Sequence, residues 1–171
     1  YHIKQNKNMC AGLFMGITIL TKLIPVLVLP LFIYRLGLKK SVKFIGITIV
    51  VIILGFGPFI NLKFLMNYSQ SVGLWFSNFE FNASFYYVIK YLTKYFFDVY
   101  LIDYTNLIIP ALMGSIVLYL FLKKESKTIV IMKQCLLLLT AYFFLSTTIH
   151  PWYIIPLVFL SCYSSHRYPI W

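Results

Sequence analysis

The sequence predicts an all-α fold: a polytopic transmembrane helix bundle with a re-entrant or broken helix pair and an outer amphipathic helix. Three observations predict it. Of the 171 residues, 61% are hydrophobic and 19% aromatic, with a mean hydropathy of +0.84. A soluble domain of this size has no interior large enough to hide so much apolar surface. The apolar residues fall in runs of membrane-helix length. The lysines and arginines behind the net charge of +11 gather in short clusters between those runs. That pattern writes membrane topology; it is not the footprint of a nucleic-acid surface, and no nucleic-acid partner is expected. Residues 1–171 read as a single transmembrane domain. The chain opens on YHIKQNKNM without an initiator Met and closes on RYPIW, so it reads as part of a longer chain.

The first run, 10–34, is CAGLFMGITILTKLIPVLVLPLFIY. It is long enough to cross once, but Lys22 sits at its middle, with Pro25 and Pro30 just after. A lysine at the bilayer centre costs roughly 2.5–3.5 kcal/mol, and a proline inside a helix frees a backbone carbonyl. Two short helices meeting near Lys22 relieve both problems, and broken helices are tolerated where they line a wet cavity. Basic residues flank the run on both sides: Lys4 and Lys7 before it, Arg35, Lys39, Lys40 and Lys43 after it. Like flanks favour a re-entrant pair over one span.

Membrane helices are predicted at 44–60, 100–122, 128–149 and 152–163, the last short for a full span. Loop 35–43 and loop 123–127 (KKESK) are basic, and Arg167 follows the last run. By the positive-inside rule 35–43, 123–127 and 164–168 face the cytoplasm, and the segment 61–99 shares the outer side with the turn at His150. Within that outer segment Phe85, Val88, Ile89, Leu92 and Phe96 follow helical spacing, with Tyr87, Lys90 and Lys94 on another face. This predicts an amphipathic helix in the headgroup region, capped by Asn82 or Ser84. Asn82-Ala-Ser84 also matches a glycosylation pattern, which recurs by chance in three-residue words.

Few residues are equipped for chemistry. Cys10, Cys135 and Cys162 lie in or beside apolar runs without metal-ligand spacing and read as buried thiols. No metal-ligand spacing, phosphate loop or nucleophile motif is present, so no cofactor is predicted and a divalent-metal requirement stays open. Glu125 lies in a basic loop and reads as a solvated charge. Asp98 and Asp103 read as interfacial residues or as ligands of a substrate or metal. Glu80, between aromatics in FSNFEFNAS, is either a surface charge or a hydrogen-bonding group in a pocket.

Lys22 is either a lysine that snorkels to the interface or an ammonium that holds a phosphate. The stretch STTIHPWYIIP poses the same choice. Pro151 suits the first turn of a helix, and Trp152 and Tyr153 suit an aromatic belt. Alternatively, His150 donates to a phosphate or sugar oxygen from the outer surface.

Three stretches together resemble polytopic GT-C glycosyltransferases. GLFMGITILTKLIPVLVLPL resembles their G-L-x-x-G-x-x-x-L-T-K-x-x-P-x-x-x-L-P segment. FEFNASFYYVIKYL resembles their F-N-x-S-x-Y-Y segment, and STTIHPWYIIPL their T-x-H-P-W-Y-x-x-P segment. RYPIW resembles the start of the following helix. The nearest group is the bacterial mannosyltransferase-like proteins that use polyprenyl-phosphate sugars, and the resemblance covers their C-terminal part only.

That resemblance implies a hexosyltransferase of the bacterial cytoplasmic (inner) membrane, multi-pass, with its active site on the outer face. It would move a hexose, often mannose, from a polyprenyl-phosphate sugar to a glycan or lipid acceptor. By motif match Lys22 lies near the lipid phosphate, and His150 with Trp152 near the sugar. Asn82 and Tyr86 belong to the outer helix beside the cleft. With Glu80 and Tyr153 these are the candidate substrate-binding residues. The family's catalytic carboxylate lies on a first outer loop that is absent here, so the catalytic base is unknown and is expected outside this chain.

Two other classes compete. A transporter subunit would show a polar path to both faces and inverted repeats, and segments 10–60 and 100–163 do not match in pattern. A non-catalytic membrane assembly protein would need no cleft. The enzyme reading requires Lys22, His150 and the 80–90 segment to converge on one outer cavity.

Overall fold

The computed structural model describes residues 8–77, 80–98, 100, 102–164, 166 and 168–170. Among these the chain is helical, with one isolated bridge between extended residues, Phe81 and Thr148. Helix α1 is Asn8–Thr21, followed by a 3-10 segment at Ile24–Leu31 and by α2, Phe32–Leu36. Next come α3 (Leu38–Phe56), α4 (Leu62–Ser77), α5 (Ser84–Phe97), α6 (Ile102–Leu122), α7 (Thr128–Leu145) and α8 (Ile154–Ser161). Two helical stretches, Leu38–Phe59 and Thr128–Leu145, are long and apolar enough to cross a membrane.

The first run breaks at Lys22, where two residues, Lys22 and Leu23, separate α1 from the 3-10 segment. Pro25 opens that segment and Pro30 lies within it. Proline cannot donate the bond that continues an α-helix, which favours the tighter, shorter-lived 3-10 winding here. α1 packs against α3 side by side and in the same direction. A Cβ on Gly12 would meet Phe44 O at 2.6 Å, one on Gly16 would meet Val51 Cβ at 2.6 Å, and Leu20 lies against Gly55. The missing side chains let the two backbones approach, and buried Thr48 donates its hydroxyl to Gly12 O at 3.1 Å.

This register corrects the depth assigned to Lys22. In the sequence Lys22 is the middle of an apolar run; in space it follows Leu20, which is level with Gly55 at the far end of α3. The chain turns back there, so no lysine is held halfway along the bundle. Gly37, at φ 73° and ψ 158°, makes the later break between α2 and α3. That backbone region is essentially restricted to glycine.

The bundle thus has two chemically distinct ends. At the basic end Arg35 donates from Nη1 to Ser126 O at 2.8 Å, and the rings of Tyr34 and Phe121 lie 5.0 Å apart. These contacts bring loop 35–43 to loop 123–127. At the aromatic end Phe81 N–H donates to Thr147 O at 2.9 Å and Ile149 N–H donates to Phe81 O at 2.8 Å. These tie the start of α5 to the turn after α7. The central core joins Leu31, Phe32, Phe44, Ile109, Met113 and Ile131, with Leu138 and Cys135 beside them.

Around that apolar core, α1, α3 and α5 turn many large apolar side chains outward. In α1 the buried residues are Asn8, Gly12, Gly16 and Ile19, while Met9, Leu13, Phe14 and Ile17 are exposed. In α3 Ser41, Phe44 and Thr48 are buried, and Ile49, Val50, Ile53 and Leu54 are exposed. In α5 Tyr86 is buried and Lys90 and Thr93 are half-buried, whereas Phe85, Val88, Leu92 and Phe96 of the apolar stripe face outward.

Several expectations need correction. The outer segment holds two helices, not one. α4 packs on α6, and Phe64 and Tyr68 of α4 meet Phe56 at 6.3 Å each. α5 is capped by neither predicted residue: its N-cap is Ala83, which has no side-chain oxygen to accept the free N–H groups, and Asn82 precedes it at φ 53°. Cys10 and Cys162 are exposed, because each falls on the outward stripe of its helix end; Cys135 alone is buried. After α8, the described residue Tyr168 lies short of the basic end. Tyr168 hydroxyl bonds Thr140 Oγ1, twelve residues beyond Thr128 on α7, or about 18 Å at 1.5 Å per residue. Arg167, which motivated a cytoplasmic 164–168, lies outside the described residues.

Candidate functional site

Of the residues singled out in the sequence, Lys22, Glu80, Tyr86, His150, Trp152 and Tyr153 are linked by contacts at the aromatic end. Tyr142 O accepts the N–H of Ser146, ending α7, and Ser146, Thr147 and Thr148 are buried in the turn that follows. Pro151 then starts a single 3-10 turn, Pro151–Tyr153, and Tyr153 N–H closes it onto His150 O at 2.9 Å. His150 occupies the N-cap position of that turn, but its side chain makes no capping bond. The imidazole is stacked instead: its ring lies 4.4 Å from the Trp152 indole at an interplanar angle of 9°, and 5.3 Å from Phe81. Tyr153 meets it edge-on at 5.4 Å and stacks on Phe143 at 5.3 Å.

Lys22 joins this cluster from the break between α1 and the 3-10 segment. Its Nζ is 5.1 Å from the centroid of the Tyr153 ring, within cation–π range. Lys22 is an exposed residue. A lysine in a helix interior would point along its own helix flank. Placed in the break, Lys22 reaches across to another element.

Glu80 enters through the bridge. Its side chain is 16% exposed and accepts two bonds, from Tyr86 Oη at 2.8 Å and from Lys90 Nζ at 2.5 Å. Tyr86 and Lys90 stand four residues apart on one face of α5, so a single carboxylate spans one helical turn. The surface-charge reading of Glu80 is therefore overturned: it is a hydrogen-bonding group. Lys90 is a member of the cluster that sequence reasoning placed with Tyr87 and Lys94 on the face away from the apolar stripe. The i, i+4 spacing of Tyr86 and Lys90 beside an upstream acid was the available signal.

Asn82 is exposed in the left-handed region between Phe81 and α5, a conformation asparagine tolerates better than most residues. Asp98 also adopts it, capping α5 through its N–H to Lys94 O. Its carboxylate accepts from Lys94 Nζ at 2.6 Å, fully exposed to solvent and outside the cluster. That hydrogen bond, aided by the ammonium charge, holds the Asp98 carboxyl below its usual range and Lys94 above its own. The side chain of Asp103 lies outside the described residues. Glu125 belongs to the opposite end. The N–H groups of Lys127 and Ser126 donate to it and hold its carboxyl low.

Beside the cluster is a small apolar pocket of about 80 Å³ between α5, α6 and α7, lined by Tyr86, Ile89, Thr105, Ile109, Phe144 and their neighbours. Tyr86 belongs to both, with its ring in the pocket wall and its hydroxyl on Glu80. Among the described residues no three His, Cys, Asp or Glu side chains come together as metal ligands.

Compared with protein-family models, curated proteins and solved structures, the chain has no significant match.

What the arrangement offers chemically is limited and specific. Lys22 supplies an exposed cation, and Lys90 a cation already shared with a carboxylate. Trp152, more than half exposed, supplies a large ring with an indole donor. Aromatic faces and fixed cations are the groups that receive a sugar ring and a phosphate.

Proposed function

We propose that the chain is the membrane-embedded part of a GT-C-type hexosyltransferase of a bacterial cytoplasmic membrane. The basic end faces the cytoplasm and the aromatic end handles a polyprenyl-phosphate hexose, mannose by resemblance, on the outer face. The polytopic arrangement is supported by the many large apolar side chains that α1, α3 and α5 turn outward. Small and polar residues between helices with large apolar residues outside suit lipid as solvent, not water. The orientation is supported by the pairing of both basic loops at one end.

The enzymatic reading is carried by one observation. Lys22, the 80–86 segment and the His150–Tyr153 turn come from distant parts of the sequence and are joined by contacts at one end, although the described pocket beside them is lined by Tyr86 and Ile89 and by neither Lys22 nor His150. In the reaction an acceptor hydroxyl is deprotonated by a carboxylate and displaces the phosphate from the anomeric carbon. Lys22 is assigned to the departing phosphate, whose growing charge a fixed ammonium stabilises. Trp152 and His150 are assigned to the sugar. Glu80 is engaged by Tyr86 and Lys90, so it holds the site together and leaves the base to be supplied elsewhere.

The test is transfer from a polyprenyl-phosphate hexose by the full-length protein. Lys22→Ala should lower the rate at least ~10-fold, about 1.4 kcal/mol of transition-state stabilisation. Unchanged transfer at equal membrane levels would reduce Lys22 to an interfacial anchor and remove the reading's main support.

A further inference from the structure

The reaction above uses Lys22, His150 and Trp152 and gives Lys90 no task, yet Lys90 is tied to the same rings. Residues 80 and 81 are gripped from two sides. On one side Phe81 exchanges two backbone bonds with the turn, donating to Thr147 O at 2.9 Å and accepting from Ile149 N–H at 2.8 Å. Its ring also lies 5.3 Å from the His150 imidazole, which stacks on Trp152 at 4.4 Å. On the other side the Glu80 carboxylate accepts from Tyr86 and Lys90 of α5, one oxygen to each. Two adjacent residues thus connect the helix that carries Lys90 with the rings assigned to the sugar.

The local backbone does not fix that connection. Asn82 and Ala83 link Phe81 to α5; Asn82 takes the left-handed region, and Ala83 at the N-cap makes no side-chain cap bond. A charged clamp fixes it instead. Glu80 is largely buried and Lys90 partly so, and hydrogen bonds between ions are shorter and stronger than those between neutral groups. A buried carboxylate deprived of its cation keeps its desolvation penalty and loses the attraction that offsets it. It turns toward water, and Phe81, the next residue, moves with it.

We propose that Lys90 is a positioning residue: through Glu80 and Phe81 it sets the place of the His150–Trp152 ring stack that meets the sugar. The proposal deepens the hexosyltransferase reading and rests on it for the substrate, whereas the placement of the rings can be measured without any substrate. Lys90 touches no reacting atom in this role. Rings that stack on the sugar do so in the ground state as well as in the transition state, so their displacement weakens binding and leaves the chemical step alone.

The full-length protein is labelled with fluorotryptophan, and the fluorine resonance that Trp152→Phe removes is followed. Lys90→Gln and Glu80→Gln each take one charge from the pair, and either variant that folds suffices. Each should displace the resonance, because the ring currents at Trp152 change as His150 and Phe81 move. Lys90→Arg keeps a charged donor and should hold the resonance near its original place. With a polyprenyl-phosphate hexose, the Gln variants should raise the KM for the donor about fivefold or more while kcat stays within about twofold. Lys90→Arg should recover most of that loss. An unmoved resonance, or an unchanged KM in an active protein, would overturn the proposal and leave the pair as a prop for α5 that changes only the unfolding temperature. A resonance displaced as far by Lys90→Arg as by Lys90→Gln would overturn it too, since the charge would not be the cause. If the unmodified protein transfers no hexose, the enzymatic reading fails on its own, and the resonance alone decides whether Lys90 sets the rings.

Discussion

Gly16→Ala is the sharpest test of how the site is held. The added Cβ would lie 2.6 Å from Val51 Cβ, 2.7 Å from Val51 Cγ1 and 3.1 Å from Thr48 O. Carbon atoms pack best at about 3.5–4.0 Å, so α1 and α3 must part by roughly 1 Å at this level or Val51 must leave its position. Overpacking of this kind costs about 1–3 kcal/mol. For a chain of this length, each kcal/mol lowers the midpoint of thermal unfolding by roughly 2–4 °C. The assay is thermal unfolding in mild detergent, followed by loss of the monodisperse peak. Gly46→Ala is the internal control, because nothing lies within 4 Å of its Cβ position. There the substitution should be neutral or stabilise by up to about 1 kcal/mol through helix propensity. Val51→Ala in the Gly16→Ala background removes the atoms in the way, so the pair should recover at least about 1 kcal/mol through coupling. If Gly16→Ala unfolds at the temperature of Gly46→Ala, the close parallel packing of α1 on α3 is wrong, and with it the depth assigned to Lys22.

Three further outcomes are expected. Because His150 makes no capping bond and stacks on Trp152, His150→Asn and Trp152→Phe should both slow sugar transfer in the full-length protein at normal membrane levels; full activity from both would leave the turn as an interfacial structure. Single cysteines introduced at positions 82 and 124 should be labelled from outside and from inside intact cells respectively, and labelling of 124 alone from outside would invert the topology. The Asp98 carboxyl should titrate below the ordinary aspartate range, held down by the Lys94 ammonium, and Lys94→Gln should return it to that range, as read by carboxyl NMR. The sign follows from the lowered carboxyl: the pair's contribution is present above the ordinary aspartate pKa and fades as pH falls through the depressed one.

The break at Lys22 was legible because a lysine followed by Pro25 and Pro30 conflicts with a continuous span. Its depth was not, since hydropathy records which residues are apolar and not where the chain doubles back. α4 escaped notice because Asn67, Ser69, Gln70 and Ser71 interrupt its apolar pattern; its ring contacts with Phe56 are tertiary and leave no local trace. The stripe Phe85, Val88, Leu92, Phe96 marked α5 as a helix but not which face meets protein. The hydrophobic period has the same form whether a core or lipid covers it. Glu80 and the His150 turn were visible as unusual residues among aromatics. Their junction through the Phe81–Thr148 bridge is made of backbone hydrogen bonds, which no side-chain pattern announces.

On the proposed membrane reading, the turn at Lys22 also bears on a question of odd and even. A hydropathy reading that counts 10–34 as one crossing would put Asn8 and Arg35 on opposite sides and invert every later loop against the count. With α1 running out along α3 and the 3-10 segment and α2 running back, Asn8 and Arg35 lie at the same end. A reporter fused ahead of Asn8 would therefore sit on the side of the basic loops. If the chain crosses the membrane as proposed, making the run continuously helical would not loosen one element; it would flip the parity of every later crossing.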